Sequence, residues 1–321
     1  MSDVSTSPAK AGQDRQREPG VIYREHADLR VATHILSLWS FESCVRGVDR
    51  RPVALNRDGN PEYWLERSDP LLNTILPGTG VSLVVNFGDS WAAGRSLVRS
   101  SLLPRVCVIG SVTQARILRL STRVQAIGAV IPPALTMSAF GVAPSELVDR
   151  IVPLEDLWTS SEVEELIDAI SPLALRPQVA GLCDAVVSRL ERAHDRDSLA
   201  DTTSRLIIRH RGQISIDDIA RRHGVSRKQV ARRFSAAIGM MPKLFARVTR
   251  FQALVRALLS SDVSHWVSVA PSLGFYDQAH MINEFRGFAG APPTVFFQPH
   301  GDGVDVETRL LRGRPSEWRG R

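Results

Sequence analysis

One stretch of this chain occurs twice, and that duplication constrains the fold more than any other feature. Residues 219–245 read IARRHGVSRKQVARRFSAAIGMMPKLF, and residues 269–297 read VAPSLGFYDQAHMINEFRGFAGAPPTVFF. Ala220 stands with Ala270, Gly224 with Gly274, Phe234 with Phe285, Gly239 with Gly290, Pro242 with Pro293 and Phe245 with Phe296. The second copy has one extra residue between its first Gly and its Phe. Matches in this order mark a repeated structural unit.

The residues of the first copy say what that unit is. Ser215 followed by Asp218 reads as an N-cap with an acidic residue in the first turn. Ile216, Ile219 and Ala220 then form an apolar face on a short helix, where the small Ala220 admits a second helix close by. Gly224 supplies a helix stop and a tight turn. Val225 fills the corner and Ser226 caps the next helix. There Val230, Phe234 and Ala237 recur at helical spacing and define a buried side. The outward side carries Arg227, Lys228, Ala231 and Arg232. Two helices joined by a tight Gly turn form a helix-turn-helix, whose second helix reads the major groove.

A single such spacing is a weak signal, because short helical hairpins are common. Two copies joined by a helical stretch, RVTRFQALVRALL (247–259), are far more specific. Together with A-x-x-x-G in each copy, G-x-x-P-x-x-F after each second helix, RFQ (250–252) and GFYDQAH (274–280) followed by EF (284–285), the arrangement resembles the AraC/XylS family of bacterial transcription regulators over about 200–298. The resemblance implies an all-α domain with two helix-turn-helix units, at about 215–238 and 264–289. Its two recognition helices would enter successive major grooves on one face of DNA, about 34 Å apart. Carried over by position, the DNA-binding residues are Arg227, Lys228, Ala231 and Arg232 in the first unit and Gln278, Ala279, Ile282 and Asn283 in the second. Arg reads guanine with two bonds, Lys serves guanine or phosphate, and Ala231 offers only a methyl contact. His280 lies near the turn, where it packs, caps or touches DNA. Two departures stand out: Asn283 replaces an Arg that often contacts phosphate in the family, and Pro271 falls late in the first helix of the second unit, which should kink or stop early.

Charge separates the two halves of the chain and the two units. Residues 205–300 hold 14 Arg and Lys against 5 Asp and Glu, whereas residues 1–204 hold 21 against 25. A basic segment attached to an acidic one suggests a polyanion partner, with a solvated basic face as the alternative. Residues 221–233 contain Arg221, Arg222, Arg227, Lys228, Arg232 and Arg233, while residues 274–286 contain only Arg286. The first unit is therefore expected to supply most of the phosphate affinity.

The N-terminal part reads as β. In ILPGTGVSLVVNFGD (75–89), Val81, Leu83, Val85 and Phe87 alternate with Ser82, Val84 and Asn86 after a Pro-Gly turn. RVCVIGS (105–111) and ARILRLSTRVQAIGAVIPP (115–133) are further short strands, which suggests a β-sandwich or barrel. Helices are expected over 160–170, with Ser161 and Glu164 at capping-box spacing, then 176–194 and 196–212. LPGTGVSLVVNFGD, IGSVTQARILRL and PSELVDRIVPLEDLW (144–158) resemble the cupin-like sensor domain of some AraC-type regulators. Thr79 and Gly80 replace the acidic and the Cys or small residue usual after that turn, and GAVIPPAL (128–135) lacks the usual aromatic and Pro-Gly. The effector-binding residues are unassigned.

Catalytic readings find little footing. His26, His34 and His194 precede residue 210 without an HxH or His/Glu cluster, so no metal and no cofactor are expected. No nucleophile elbow or Cys-His motif occurs, and PGTG is too short and lacks the Lys of a phosphate loop. Cys44, Cys107 and Cys183 read as small buried hydrophobes, and Trp39, Trp64, Trp91 and Trp158 as core or pocket lining. There is no apolar run of membrane-spanning length and no apolar leader segment in the first twenty residues, so a cytoplasmic protein without membrane contact is expected.

The resulting expectation is a two-domain α+β chain. A polar tail (1–20) precedes a mostly β barrel or sandwich with trailing helices (21–195), a double helix-turn-helix domain (196–300) and a second polar tail (301–321). The expected function is that of a DNA-binding transcription regulator. The expected partners are double-stranded DNA, a small-molecule effector, a second copy of the chain, and RNA polymerase if the protein activates. Two alternatives stay open: an interaction module with a degenerate helix-turn-helix pair, and a cupin-type enzyme.

Overall fold

The apolar alternation of the N-terminal region builds two antiparallel sheets, seen in a computed structural model that describes residues 20–26, 35–44, 72–96, 99–121, 123–192, 197–260 and 266–297. The strands are β1 (Gly20–His26), β2 (Ser37–Cys44), β3 (Leu72–Ile75), β4 (Val81–Asn86), β5 (Ala92–Gly94), β6 (Ser100–Leu102), β7 (Val106–Ile109), β8 (Arg116–Arg119), β9 (Arg123–Ile131) and β10 (Ile151–Pro153). One sheet runs β1-β2-β9-β4-β7-β10 and the other β3-β8-β5-β6. Short helices α1 (Thr136–Phe140) and α2 (Pro144–Leu147) precede β10, and α3 (Ser160–Ile170) and α4 (Leu175–Arg192) follow it. The two polar tails, Trp64, His34 and His194 lie outside the described residues.

The larger sheet is covered on both faces, so neither side of the period-two pattern of β4 is exposed. Val81, Leu83 and Val85 enter a core shared with Val163, Leu166 and Ile170 of α3 and with Val179, Leu182, Cys183 and Val186 of α4. Val84, on the opposite face, enters the core between the sheets with Trp39, Phe41, Trp91, Cys107, Leu118 and Ala126. Cys107 and Cys183 are buried and form no disulfide, and burial pushes the Cys107 thiol up to about 12. The capping of α3 corrects one sequence expectation. The capping box is Thr159 with Glu162, rather than Ser161 with Glu164. Thr159 satisfies the Glu162 N–H and Glu162 reaches back to the Thr159 N–H, so the helix starts before Ser161, whose hydroxyl bonds Glu165.

The C-terminal region is helical: α5 (Ser198–Arg209), α6 (Ile216–His223), α7 (Arg227–Ile238), α8 (Pro242–Ser260), α9 (Trp266–Ser272), α10 (Gln278–Ala289) and α11 (Pro293–Phe296). The repeat reappears as equivalent geometry. The Ala220 carbonyl accepts from the Val225 N–H and the Ala270 carbonyl from the Phe275 N–H, each at 3.1 Å. Gly224 and Gly274 both take left-handed backbone angles, with φ of 63° and 72°. Ser226 caps α7 and Asp277 caps α10. Both of these helices have 12 residues, and both end on a left-handed glycine, Gly239 or Gly290. The one-residue insertion therefore falls in the turn, between Gly274 and the cap. Pro271 shortens its helix: α9 ends two residues before Gly274, whereas α6 runs up to Gly224.

Each unit has its own core. Ile219, Val230, Phe234 and Ile238 pack with Phe245 of α8 and Ile207 of α5. Met281, Phe285 and Phe288 pack with Val248, Phe251, Leu254 and Leu258, further along α8. Phe234 meets Phe245 edge-on at 5.2 Å, and Phe285 meets Phe296 edge-on at 5.6 Å. A bidentate ion pair fastens α7 to the start of α5: both nitrogens of the Arg233 fork lie 2.8 Å from the carboxylate of Asp197. Asp197 also caps α5 by accepting from Ala200. The Arg233 hydrogen bonds hold the Asp197 carboxyl below its ordinary range.

Two predictions follow from this frame. A Cβ on Gly224 would meet nothing within 4 Å, whereas one on Gly239 would fall 2.5 Å from the Pro144 backbone. Gly224→Ala should thus cost only the left-handed strain, about 1–2 kcal/mol. Gly239→Ala should cost that and about 1–3 kcal/mol more from overpacking; equal losses of denaturant midpoint would refute the contact. Asp197→Asn keeps a good cap but loses the charge pair. Because the folded pKa is depressed, the carboxylate's contribution is complete above its unfolded value of about 3.9 and disappears as pH falls through the folded value. The Tm gap between native and Asp197→Asn protein should therefore be widest near neutral pH and should close below about pH 4.

Candidate nucleic-acid interface

Burial of Val230 and Phe234 fixes the rotation of α7, and burial of Met281 and Phe285 fixes that of α10. What remains outward follows directly. Arg227, Lys228 and Arg232 are exposed on α7, and Gln278, Ala279 and Asn283 on α10. Ala231 and Ile282 hold the same register position and are half-buried; Ile282 leans on the second core. All eight side chains named from sequence thus lie within the first six residues of a capped helix, and six of them are exposed.

The basic residues of the first unit divide into two groups. Arg233 is committed to Asp197. Arg227 reaches back to Asp217 on α6, Nε to Oδ1 at 2.8 Å, in a pair whose side chains stay 71% and 56% exposed. Arg221 pairs with Asp218 on its own helix. Exposed pairs of this kind are weak and yield to a competing phosphate at small cost. Lys228 and Arg232 have no protein partner among the described residues. Hydrogen bonds from Ser215 and Arg221 hold the Asp218 carboxyl below its ordinary range, so it stays anionic beside the cations at neutral pH.

The second unit differs in kind. At the register position of Arg233 it has Glu284, which accepts a bidentate pair from Arg247 of α8 at 2.8 and 3.0 Å. Its remaining cation on α10 is Arg286, which is exposed. His280 is used locally: Nδ1 faces the Tyr276 N–H at 3.4 Å, and the ring lies edge-on to Phe275. Tyr276, the inserted residue, stands 92% exposed just before the cap of α10. Sequence reasoning missed the Arg233–Asp197 and Arg247–Glu284 pairs, whose partners lie 36 and 37 residues apart. Tyr276 had a signal, the length difference between the copies.

Between the two sheets, Trp91 is buried with its indole N–H lacking a hydrogen-bond partner among the described residues. Among these residues no three His, Cys, Asp or Glu side chains gather as a metal site. No described helix is long and apolar enough to cross a membrane.

A family model agrees with the helical geometry of residues 219–298. The family model "Helix-turn-helix domain" matches residues 219–298. No curated protein matches the chain. Solved structures similar to it include ToxT from Vibrio cholerae O395, with 9% identity and a TM-score of 0.40 over 76% of this chain and 94% of that one. ToxT K231A from strain SCE256 shows 11% identity and a TM-score of 0.42 over 71% and 93%. Unsaturated fatty acid bound wild-type ToxT from the same strain shows 11% identity and a TM-score of 0.38 over 73% and 95%. Residues 219–298 of this chain match a helix-turn-helix domain, carried behind a β-rich N-terminal region.

Proposed function

We propose that this chain is a cytoplasmic, sequence-specific transcription regulator that lays α7 and α10 in successive major grooves of double-stranded DNA. The observation that carries this reading is the match between the two units: equal helix lengths, equivalent caps and left-handed glycines, and an outward polar face on each. The faces divide the work. Lys228 and Arg232, with Arg227 and Arg222 beside them, supply phosphate affinity. Gln278 and Asn283 supply amide groups suited to adenine edges, with Ala279 and Ile282 offering apolar contact to thymine methyls. Arg233 takes no part in DNA contact, because its fork is filled by Asp197.

Salt dependence tests this division. Each phosphate contact contributes about 0.9 to the slope of log affinity against log salt. Lys228→Ala and Arg232→Ala should each flatten the slope by about that amount on a selected operator, while Arg233→Gln should lower Tm and leave the slope alone. Gln278→Ala and Asn283→Ala should each cost about 1–3 kcal/mol of discrimination at one base pair without changing the slope. If the Arg227→Ala, Arg232→Ala double variant keeps the native slope, or loses less affinity than the Gln278→Ala, Asn283→Ala pair, the division is wrong. An interaction module without DNA recognition would shift no genomic fragment in preference to others.

A small-molecule effector is the second part of the proposal. Trp91 supports it, since a buried polar group without a partner calls for one. An apolar molecule with a hydrogen-bond acceptor, set among Trp39, Phe41 and Leu118, would meet that N–H. A metabolite screen read by Tm should find compounds whose stabilisation is lost in Trp91→Phe; a screen in which no compound stabilises the native chain sinks this part alone.

A further inference from the structure

We infer that residues 144–149 of the β-rich region act as a spacing gauge for the two recognition helices, and so as a determinant of which operator spacing the protein accepts. The inference rests on the DNA-binding reading above and deepens it. Direct ties join the two units. Arg250 of α8 donates to the Gly212 carbonyl at 3.1 Å and lies over the Phe275 ring, and Gln213 donates to the Ser272 carbonyl at 3.3 Å. These ties hold the turn that leads into α10. Along their inner sides both recognition helices pack on α8, and their C-terminal ends meet a further brace.

That brace is built on a single short segment. Its start, Pro144 and Ser145, lies against Gly239, the residue that closes α7. A Cβ on Gly239 would come within 2.5–2.7 Å of the Pro144 and Ser145 backbone. Its end, Asp149, holds the loop before β8. The Asp149 carboxylate accepts from the Thr113 backbone N–H at 2.8 Å and from the Thr113 hydroxyl, and Arg116 donates to the Asp149 carbonyl and lies 3.8 Å from its carboxylate. Between Thr113 and Arg116, the Ala115 N–H donates to the Phe288 carbonyl at 2.9 Å. Phe288 belongs to the last turn of α10, whose carbonyls lack partners within the helix. The C-terminal ends of α7 and α10 thus both meet the β-rich region, α7 at Pro144 and Ser145 and α10 at Ala115, and Asp149 links the two places through Thr113 and Arg116.

Asp149 takes a left-handed backbone angle, φ 56°, which Asp enters more readily than most non-Gly residues. Its carboxylate and carbonyl contacts hold the backbone there. Ala115 itself packs against the second unit's core, as does Leu76 from the loop after β3. A fixed separation of the two helix ends means that one spacing of half-sites fits and its neighbours do not.

The test uses the full chain and an operator that the native protein selects from random-sequence duplex DNA. One base pair is then inserted or deleted between the half-sites, which shifts them by about 3.4 Å and about a tenth of a turn. Native protein should lose about tenfold or more in affinity on either change, comparable to a mismatched base pair. Asp149→Gly keeps the backbone angle accessible and removes the carboxylate. Ala115→Pro removes the N–H and leaves Asp149 in place. Each should cut the spacing penalty to under about threefold while binding to an isolated half-site stays within about twofold of native. Circular dichroism and Tm identify a variant that has merely unfolded, and the other then decides. If the native chain selects no sequence, the DNA-binding reading fails and this inference with it. If it selects one but folded variants keep the native spacing penalty, or the native chain tolerates both spacings, the gauge is refuted and the DNA-binding reading stands.

Discussion

The burial of Phe234 and Phe285 sets everything else in the DNA-binding region. Each sits at zero exposure on the inner side of its helix, four residues after a buried Val230 or Met281. A helix pinned at two such points cannot rotate about its axis without exposing aromatic surface. The cost of removing a buried Phe side chain, about 3–5 kcal/mol, is a large part of the roughly 5–15 kcal/mol that holds a domain together. The rotation in turn decides which residues meet solvent. Moving the phenylalanine by one position would turn the outward face by about 100° and bring a different set of side chains to the groove.

Electrostatics then distinguishes two units that the backbone makes alike. Arg233 and Glu284 stand at the same register position, and each forms a bidentate pair with a helix outside its own hairpin: Arg233 with the cap of α5, Glu284 with Arg247 of α8. In the first unit a cation is withdrawn from the surface by that pairing. In the second an anion is covered by an Arg, which leaves α10 with little charge facing out. Both arrangements fasten the recognition helix to its neighbour, and both remove from the DNA surface a charge that composition alone would have counted there. The balance of +9 over residues 205–300 therefore overstates the free positive charge of the face.

Much of this was legible in the sequence because it rests on local rules. The capped starts at Ser226 and Asp277, the glycine stops and the 3.6-residue apolar stripe are all short-range, and both units appear where the repeat placed them. The α3 cap was misread by two residues because Thr159 and Ser161 both have a Glu three positions on, and spacing alone cannot choose between them. The two faces of β4 were also opaque, since alternation tells which residues share a face but not that a second sheet covers the other one. The long-range ion pairs left no trace. An Arg that will find an Asp on another helix looks, in a linear reading, like any other Arg beside Lys228.

Gly239 shows how two demands meet in one residue of a repeat. Its partner position, Gly290, has nearly the same left-handed angle, so the helix stop alone accounts for glycine in both copies. Gly224 has the same kind of angle with open space around it. At Gly239 the missing side chain also admits the backbone at Pro144 and Ser145, and at Gly274 it leaves room for the Gln213 side chain. Residues shared by the copies are thus those that backbone geometry or core packing dictates. Residues that differ, Arg227 and Gln278, Lys228 and Ala279, Arg232 and Asn283, stand on the outward faces where no such rule applies. The same frame presents two dissimilar surfaces, and the β-rich region touches that frame at the helix ends, away from the side chains that face outward.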